Sequence, residues 1–596
     1  MKRKKSEKTP YQNPVITLLL LLGVGIIYSD LALILSVRNG VSWGGDFTLF
    51  LLNTLPIMLA LLLIWLMTGW AWLSCLLTGA AAFLLAGGNY FKLLFRDDPL
   101  VWNDLFHLRE GFRMSGEYEV VFTPFMWTWL GVIVGATVIL ILLGRGRPKA
   151  TLRLLSLTAV GMIALSCFTY LYPDEERYVE LAGDYAGSET DAYVACGMLY
   201  PFLYSARTVE DWTYDPDSAR AILSQYEDER IPADKRVSFI TIQLEAFADF
   251  TPFEVEGLSP DVYAKFHALL DRSLHGTLLT DIFAGGTTET EWAVLTGGNI
   301  HDEFTSPTDS VAWYFRDQGY TVNGSHPSHD WFYERGDVNP NLGFEDYLFM
   351  ENHFAEISDD KNVAYDDIYF PDLEQRLGDY FATESKPLFS FNVTYQGHGP
   401  YKDFKTYWGT DYCTGNYTEA SSNILNNYFA IEQDTMDYVT HFVDFLNTID
   451  KPIVLTLYGD HKPWLGDDNS VYEELGINLD LTQPEGFWNY YTTWYLVWAN
   501  DAAKARLGVN FSGTDEILSP CFLMDRVLEL CGLKGSAYMQ AQHEVAQALP
   551  VLHTTGWYLE NGELSQNLSP RGKKLVEQFQ NLSRWDRENG RSATEQ

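Results

Sequence analysis

The segment AGGTTETEWAVLTGG, residues 284–298, closes an apolar run with glycines, presents two hydroxyls and then starts a helical pattern. Thr288 and Glu291 stand at the Ser/Thr-x-x-Glu spacing of a capping box, which predicts Thr288 at the helix N-cap and Thr287 just ahead of it. A helix N-terminus favours negative charge. A threonine hydroxyl is a weak nucleophile until its alkoxide is stabilised, so chemistry here calls for a partner, and a metal ion is the natural one.

Other residues offer ligands. Asp460 and His461 follow an apolar run and Gly459, giving an oxygen and a nitrogen suited to a divalent cation. Glu245 ends a strongly apolar run, and with Thr287 these residues make a compact, oxygen-rich set. His398 sits in TYQGHGPY between two glycines, in a tight loop from which an imidazole can reach a substrate. His326, Tyr333 and Arg335 occupy SHPSHDWFYERGD, which offers a cation, hydrogen-bond donors and aromatic faces to an anionic head group. Each also has a purely structural reading: a strand terminus for Glu245, a turn histidine for His398, an aromatic cluster for 325–337.

The elements that must position these residues are short strands alternating with amphipathic helical stretches from Val237 onward, the pattern of an α/β domain with a largely parallel sheet. The strand segments are 237–244, 276–283, 320–325, 387–395 and 452–458. They end at Glu245, Thr287, His326, His398 and the Asp460–His461 pair, and in open α/β sheets ligands bind beyond the carboxyl ends of strands.

The rest of the 596-residue chain has a different character. Five apolar stretches of near-bilayer length lie at Pro14–Val37, Phe47–Met67, Trp70–Gly88, Phe125–Leu143 and Leu154–Leu171. Lys2, Arg3, Lys4, Lys5 and Lys8 precede the first, and Arg145, Arg147, Lys149 and Arg153 lie between the fourth and fifth. The positive-inside rule makes both clusters cytoplasmic, so an odd number of spans carries everything after Pro173 outside. The first span is long and several follow it, which suits an anchor better than a cleaved signal peptide. Asp30, within that span, is an intramembrane carboxylate or an interfacial one near the outer end.

The expected organisation is a transmembrane domain at 1–172, an acidic juxtamembrane linker at 173–236 with a short helix near 217–226, a catalytic domain at 237–555 and a tail at 556–596. The formal net charge of -38 argues against a nucleic-acid partner and suits a soluble exported surface. The six cysteines form no disulfide framework: Cys75 and Cys167 lie in spans, and Cys521 and Cys531 flank a helix that would hold them ~15 Å apart.

The order Glu245, GGTTETEW, His326 with FYERGD, His398 and YGDH resembles the lipoteichoic acid synthase family, polytopic membrane enzymes of the alkaline phosphatase and sulfatase superfamily. The resemblance covers nearly the whole chain, including the five spans. It implies an extracytoplasmic sulfatase-like α/β domain in which Glu245, Thr287, Asp460 and His461 hold one manganese ion, with magnesium or zinc as lesser alternatives, and Thr287 is also the nucleophile. It further implies attack on phosphatidylglycerol, release of diacylglycerol, a glycerophosphoryl-threonine intermediate, and transfer to a glycerol-terminated acceptor in cell-envelope polymer synthesis. His398, His326 and Arg335 match substrate-binding positions of the family pocket; His398 either protonates a leaving oxygen or binds the head group. This chain departs from the family pattern at Ser328, where an acidic residue is expected, and at Glu334, a carboxylate placed to pair with Arg335. The alternatives are a phosphoethanolamine transferase, or a sulfatase or phosphodiesterase-like hydrolase of the same superfamily. No C/S-x-P/A-x-R motif for a type I sulfatase is present, and the cysteines do not pair as in phosphoethanolamine transferases. A non-catalytic scaffold would have lost nucleophile or ligands, and all are present.

Overall fold

The computed structural model describes residues 13–36, 47–96, 99–105, 121–174, 177–178, 181, 193, 196–206, 214–299 and 304–591. The chain divides into two units, Met1–Val209 and Glu210–Gln596.

The first unit is built on five helices: α1 (Pro14–Ser36), α2 (Phe47–Thr68), α3 (Ala71–Arg96), α4 (Pro124–Leu143) and α5 (Ala150–Ser166, continued as a π-helical turn to Leu171). All five are long and apolar enough to cross a membrane. They coincide with the expected spans because continuous apolarity over about 20 residues is hard to mistake. Asp30 lies on an exposed face of α1. The cluster from Lys2 to Lys8 falls outside the described residues.

The second unit is a three-layer α/β domain. Its eight-stranded sheet has the order β4-β3-β5-β1-β6-β7-β2-β8. The strands are β1 (Ser238–Leu244), β2 (Leu274–Leu279), β3 (Thr321–Ser325), β4 (Asp346–Leu348), β5 (Leu388–Val393), β6 (Ile453–Gly459), β7 (Thr492–Ala499) and β8 (Gly513–Leu518). All pairings are parallel except those of β7, which runs against both β6 and β2. The central strands β1, β5 and β6 are buried along their whole length, as expected of a sheet covered on both faces. Alternation divides their side chains between two cores: Phe239, Phe391 and Val454 pack into one, Ile240, Ile242 and Leu455 into the other.

Each of the five expected segments overlaps a strand that orders the site; β2 begins two residues earlier than expected, at Leu274, and β6 runs one residue further, to Gly459. The domain edges differ from expectation. The helix Pro216–Leu223 belongs to the second unit, tied to it by the Asp215 N–H bond to Asn581 Oδ1 at 2.7 Å. The segment expected as a tail carries strands of a small antiparallel sheet and the helix Pro570–Asn589, which buries Leu575, Phe579 and Leu582. An amphipathic helix with that much apolar surface packs on the domain rather than trailing from it.

Candidate active site

Parallel strands β3, β5, β1 and β6 lie side by side, so their carboxyl ends set Ser325-His326, the 394–398 loop, Glu245 and Asp460-His461 along one edge. β2 points the same way, and residues 280–286 lead from it to helix α6 (Thr287–Thr296).

The start of α6 differs from the expected capping box. Gly286, in the left-handed region at φ 76°, is the N-cap, and Thr287 is the first helical residue. Thr288 is buried within the first turn and does not cap it. Glu291 is drawn elsewhere by a charge: Arg335 Nε and Nη2 donate to Glu291 Oε2 at 3.0 and 2.8 Å, with both side chains fully buried. A glycine can adopt the positive φ of this entry without strain, so no side-chain cap is needed.

Thr287 Oγ1 donates to Glu245 Oε2 at 3.1 Å. Glu245, Asp460 and His461 bring one ligand atom each within 4.8 Å of one another, and all three are buried. Asp460 Oδ1 accepts the N–H groups of Ala246 and His461, both at 2.8 Å, which leaves Oδ2 aimed inward. Asp460 Oδ2 and His461 Nε2 have no hydrogen-bond partner among the described residues. Burial, then repulsion from Asp460, pushes the Glu245 carboxyl up to about 8; burial pushes Asp460 up to about 7 and lowers His461. Two dry carboxylates, an imidazole with its pair of electrons inward and a hydroxyl fit a divalent cation, which would satisfy the orphaned atoms and offset the crowded charge.

Several supporting residues carry no signal in the sequence pattern. Gln243 Nε2 donates to the Thr287 carbonyl at 3.1 Å and is itself held by the Tyr458 hydroxyl at 2.7 Å. Thr290 Oγ1 donates to the Asp460 carbonyl at 3.0 Å, and Thr394 Oγ1 accepts from the Glu245 N–H at 3.0 Å. Ala246 adopts a positive φ of 51°, turning its N–H onto Asp460. Lys462 is buried with its ammonium on Thr492, and burial lowers it to about 7.

The residues expected to bind a head group gather less uniformly. The Tyr333 hydroxyl accepts the Gly286 N–H at 3.2 Å, which sets it beside the start of α6. His398 is partly exposed, stacks on Tyr395 at 4.9 Å and meets the Phe332 ring edge-on at 6.3 Å. His326 is buried behind them, 6.4 Å from Phe332 and 6.2 Å from Tyr395. Burial and the Arg335 charge keep it well below the usual histidine range, so it is neutral. Arg335, at the start of helix α7 (Arg335–Asn341), is buried and answers Glu291, whereas Glu334 is exposed. Its expected competitor is therefore the wrong glutamate: the carboxylate comes from the helix that Thr287 begins. Ser328 is buried and donates to the Asn362 carbonyl at 3.1 Å.

Residues 239–533 match the sulfatase family. A Rhizobium meliloti (strain 1021) protein named for cyclic beta-1,2-glucan modification is 26% identical over 315 residues, 50% of this chain and 46% of that protein. The capsular polysaccharide biosynthesis protein RkpI of the same organism is 26% identical over 242 residues, 38% of this chain and 41% of that one. The chain thus spans less than half the length of either relative. In fold it is similar to the integral membrane lipooligosaccharide phosphoethanolamine transferase A of Neisseria meningitidis, with a TM-score of 0.50 and 12% identity over 87% of this chain and 95% of that one.

Proposed function

We propose, from the premise that residues 239–533 form a sulfatase-family domain, that this protein is a membrane-embedded glycerophosphotransferase acting outside the cytoplasm. Its donor is phosphatidylglycerol, and its acceptor is a hydroxyl of a cell-envelope polymer. The observation that carries this reading is Thr287: a buried hydroxyl on the first turn of a helix, hydrogen-bonded to Glu245 and set against the unpaired atoms of Asp460 and His461.

Glu245, Asp460, His461 and the Thr287 hydroxyl would hold the divalent cation, manganese in this proposal, whose charge favours the alkoxide and offsets the phosphoryl oxygens. Thr287 Oγ1 gives up its proton and bonds to phosphorus as the bond to the diacylglycerol oxygen breaks, and that oxygen takes up a proton, so diacylglycerol leaves. The acceptor hydroxyl then loses its proton and bonds to phosphorus as the Thr287 ester breaks, and Thr287 Oγ1 takes up a proton. The helix N-terminus at Thr287 favours the negative charge in both steps. Tyr333, beside Gly286, and partly exposed His398 bind the head group. His326, neutral and buried, shapes the pocket behind them. Arg335 acts from further back, by orienting α6 through Glu291.

A glycerol-terminated acceptor follows from the family resemblance. The names of the two R. meliloti relatives support a glycan hydroxyl as well. The fold match to a phosphoethanolamine transferase favours one rival donor, phosphatidylethanolamine. The test is to incubate the full chain in mixed micelles with manganese and phosphatidylglycerol, phosphatidylethanolamine or a sulfate ester. Diacylglycerol release from phosphatidylglycerol alone, lost in Thr287→Ala, is the expected result; release from phosphatidylethanolamine alone overturns the donor.

A further inference from the structure

A handful of large apolar side chains are exposed on the second unit. Among its described residues, these are Ile357, Tyr365, Phe404, Tyr407 and Trp408. Residues 364–366 touch both substrate loops: the Ala364 N–H donates to Pro327 O at 2.9 Å and the Asp366 N–H to Gln396 Oε1 at 3.1 Å. Phe404, Tyr407 and Trp408 lie on the continuation of the His398 loop, beyond Tyr401, whose hydroxyl donates to Gly397 O at 2.6 Å.

Their projection is not slack. Helix α9 (Glu419–Asn447), which follows α8 (Asp366–Thr383), holds the loop with buried asparagines. Asn427 Nδ2 donates to the carbonyls of Lys402 and Lys405 at 3.0 and 2.9 Å, and its Oδ1 accepts the Tyr407 N–H at 2.9 Å. Asn426 Oδ1 accepts the N–H groups of Tyr412 and Cys413 at 3.1 and 3.0 Å. A fixed backbone thus presents Phe404 at 68%, Tyr407 at 55% and Trp408 at 48% exposure. Clustered exposure of this kind marks an interaction surface.

The surrounding chemistry selects the partner. Lys402 and Lys405 are exposed on the same loop, where the exposed Asp403 and Asp411 balance them, so this stretch is neutral in a chain with net charge -38; Lys405 Nζ lies 4.3 Å from the Tyr407 ring centroid. A phenyl ring with amphipathic tyrosine and tryptophan, on a loop without net charge, suits the interfacial zone of a lipid bilayer. A glycan-stacking platform fits less well, because Lys405 already covers one face of Tyr407 and Phe404 has no polar group to meet a sugar hydroxyl.

We infer that Phe404, Tyr407 and Trp408, on the continuation of the His398 loop, form a docking surface that enters the head-group region of a lipid bilayer. Its purpose rests on the proposed phospholipid donor; the insertion does not. The full chain is reconstituted in vesicles of phosphatidylcholine and phosphatidylglycerol, with an environment-sensitive fluorophore at Phe404→Cys or, as control, at Ser512→Cys beyond the opposite end of the strands. Label on the native cysteines is subtracted with the unsubstituted chain. The Phe404 label blue-shifts and is quenched by brominated lipid, and the Ser512 label is not; equal, water-like emission from both overturns the inference. In a second arm, the triple variant Phe404→Ser/Tyr407→Ser/Trp408→Ser loses roughly ten-fold or more of its diacylglycerol release from vesicles, with turnover of a short-chain soluble diester retained. Unchanged vesicle cleavage with lost transfer to a saccharide would make the loop a glycan platform and overturn the inference. Insertion without any phosphatidylglycerol cleavage by the unsubstituted chain would uphold docking and sink the donor reading.

Discussion

Replacing Glu291 with glutamine leaves the Arg335 guanidinium buried without its counter-charge. Both side chains are fully buried, and two guanidinium N–H groups converge on one carboxylate oxygen. Removing one member of such a pair costs roughly 3–5 kcal/mol, because the remaining charge stays dry. At about 2.1 cal/mol/K per residue, a unit the length of Glu210–Gln596 unfolds with an entropy of roughly 0.8 kcal/mol/K, so Tm falls by roughly 4–6 °C. Thermal unfolding in micelles followed by tryptophan fluorescence measures the shift. The pair also joins α6 to α7, so kcat falls in Glu291→Gln even at temperatures where the protein is folded. Arg335→Met alone is similarly costly, while Glu291→Leu/Arg335→Met recovers much of the stability and none of the activity. A Tm within about 1 °C of the unsubstituted chain, or single losses that simply add in the double variant, would refute the clamp.

Four other outcomes follow from the geometry. In Gly397→Ala the new Cβ would lie 1.9 Å from the Glu245 carbonyl oxygen, so β1's end must move and manganese affinity, read by calorimetry, falls. Chelation lowers Tm and manganese restores it, by about 2.7 kcal/mol or roughly 3 °C at one hundred times Kd; a Tm indifferent to manganese contradicts the ligand set. Asp366 is buried and burial pushes it up to about 7, so its stability contribution is full below the unfolded value near 3.9 and is lost as pH rises through 7. Asp366→Asn therefore gains Tm on the unsubstituted chain between pH 5 and pH 8, and a constant difference would show the carboxyl ionises normally. Thr287→Ala abolishes turnover while Thr288→Ala, off the donor set, lowers chiefly Tm; the reverse pattern moves the nucleophile by one residue.

The sequence was legible where one physical signal dominates. Continuous apolarity placed the five spans, and short apolar runs ending in unusual polar residues placed β1, β2, β3, β5 and β6 with Glu245, Asp460 and His461 at their tips. β8, with Asp515 and Glu516 in its middle, and the three-residue β4 lack such runs, while β7 is an apolar run that ends at Asn500, the N-cap of the next helix, on the edge away from the site because the strand is antiparallel. The capping box at Thr288 failed because local spacing cannot register a distant charge: Arg335, 44 positions away, takes Glu291. For the same reason Arg335 read as a head-group ligand. The positive φ of Ala246 and the roles of Gln243, Thr290 and Thr394 are products of tertiary packing, which a single sequence leaves unmarked.

The central claim is that Thr287 carries the transferred group. Brief incubation of the manganese-loaded full chain with phosphatidylglycerol, acid quench and peptide mass spectrometry tests it directly. The account predicts a glycerophosphoryl adduct on Thr287 that disappears when acceptor is added and is absent in Thr287→Ala. An adduct on Thr288, or diacylglycerol release with Thr287 unmodified throughout, would contradict it.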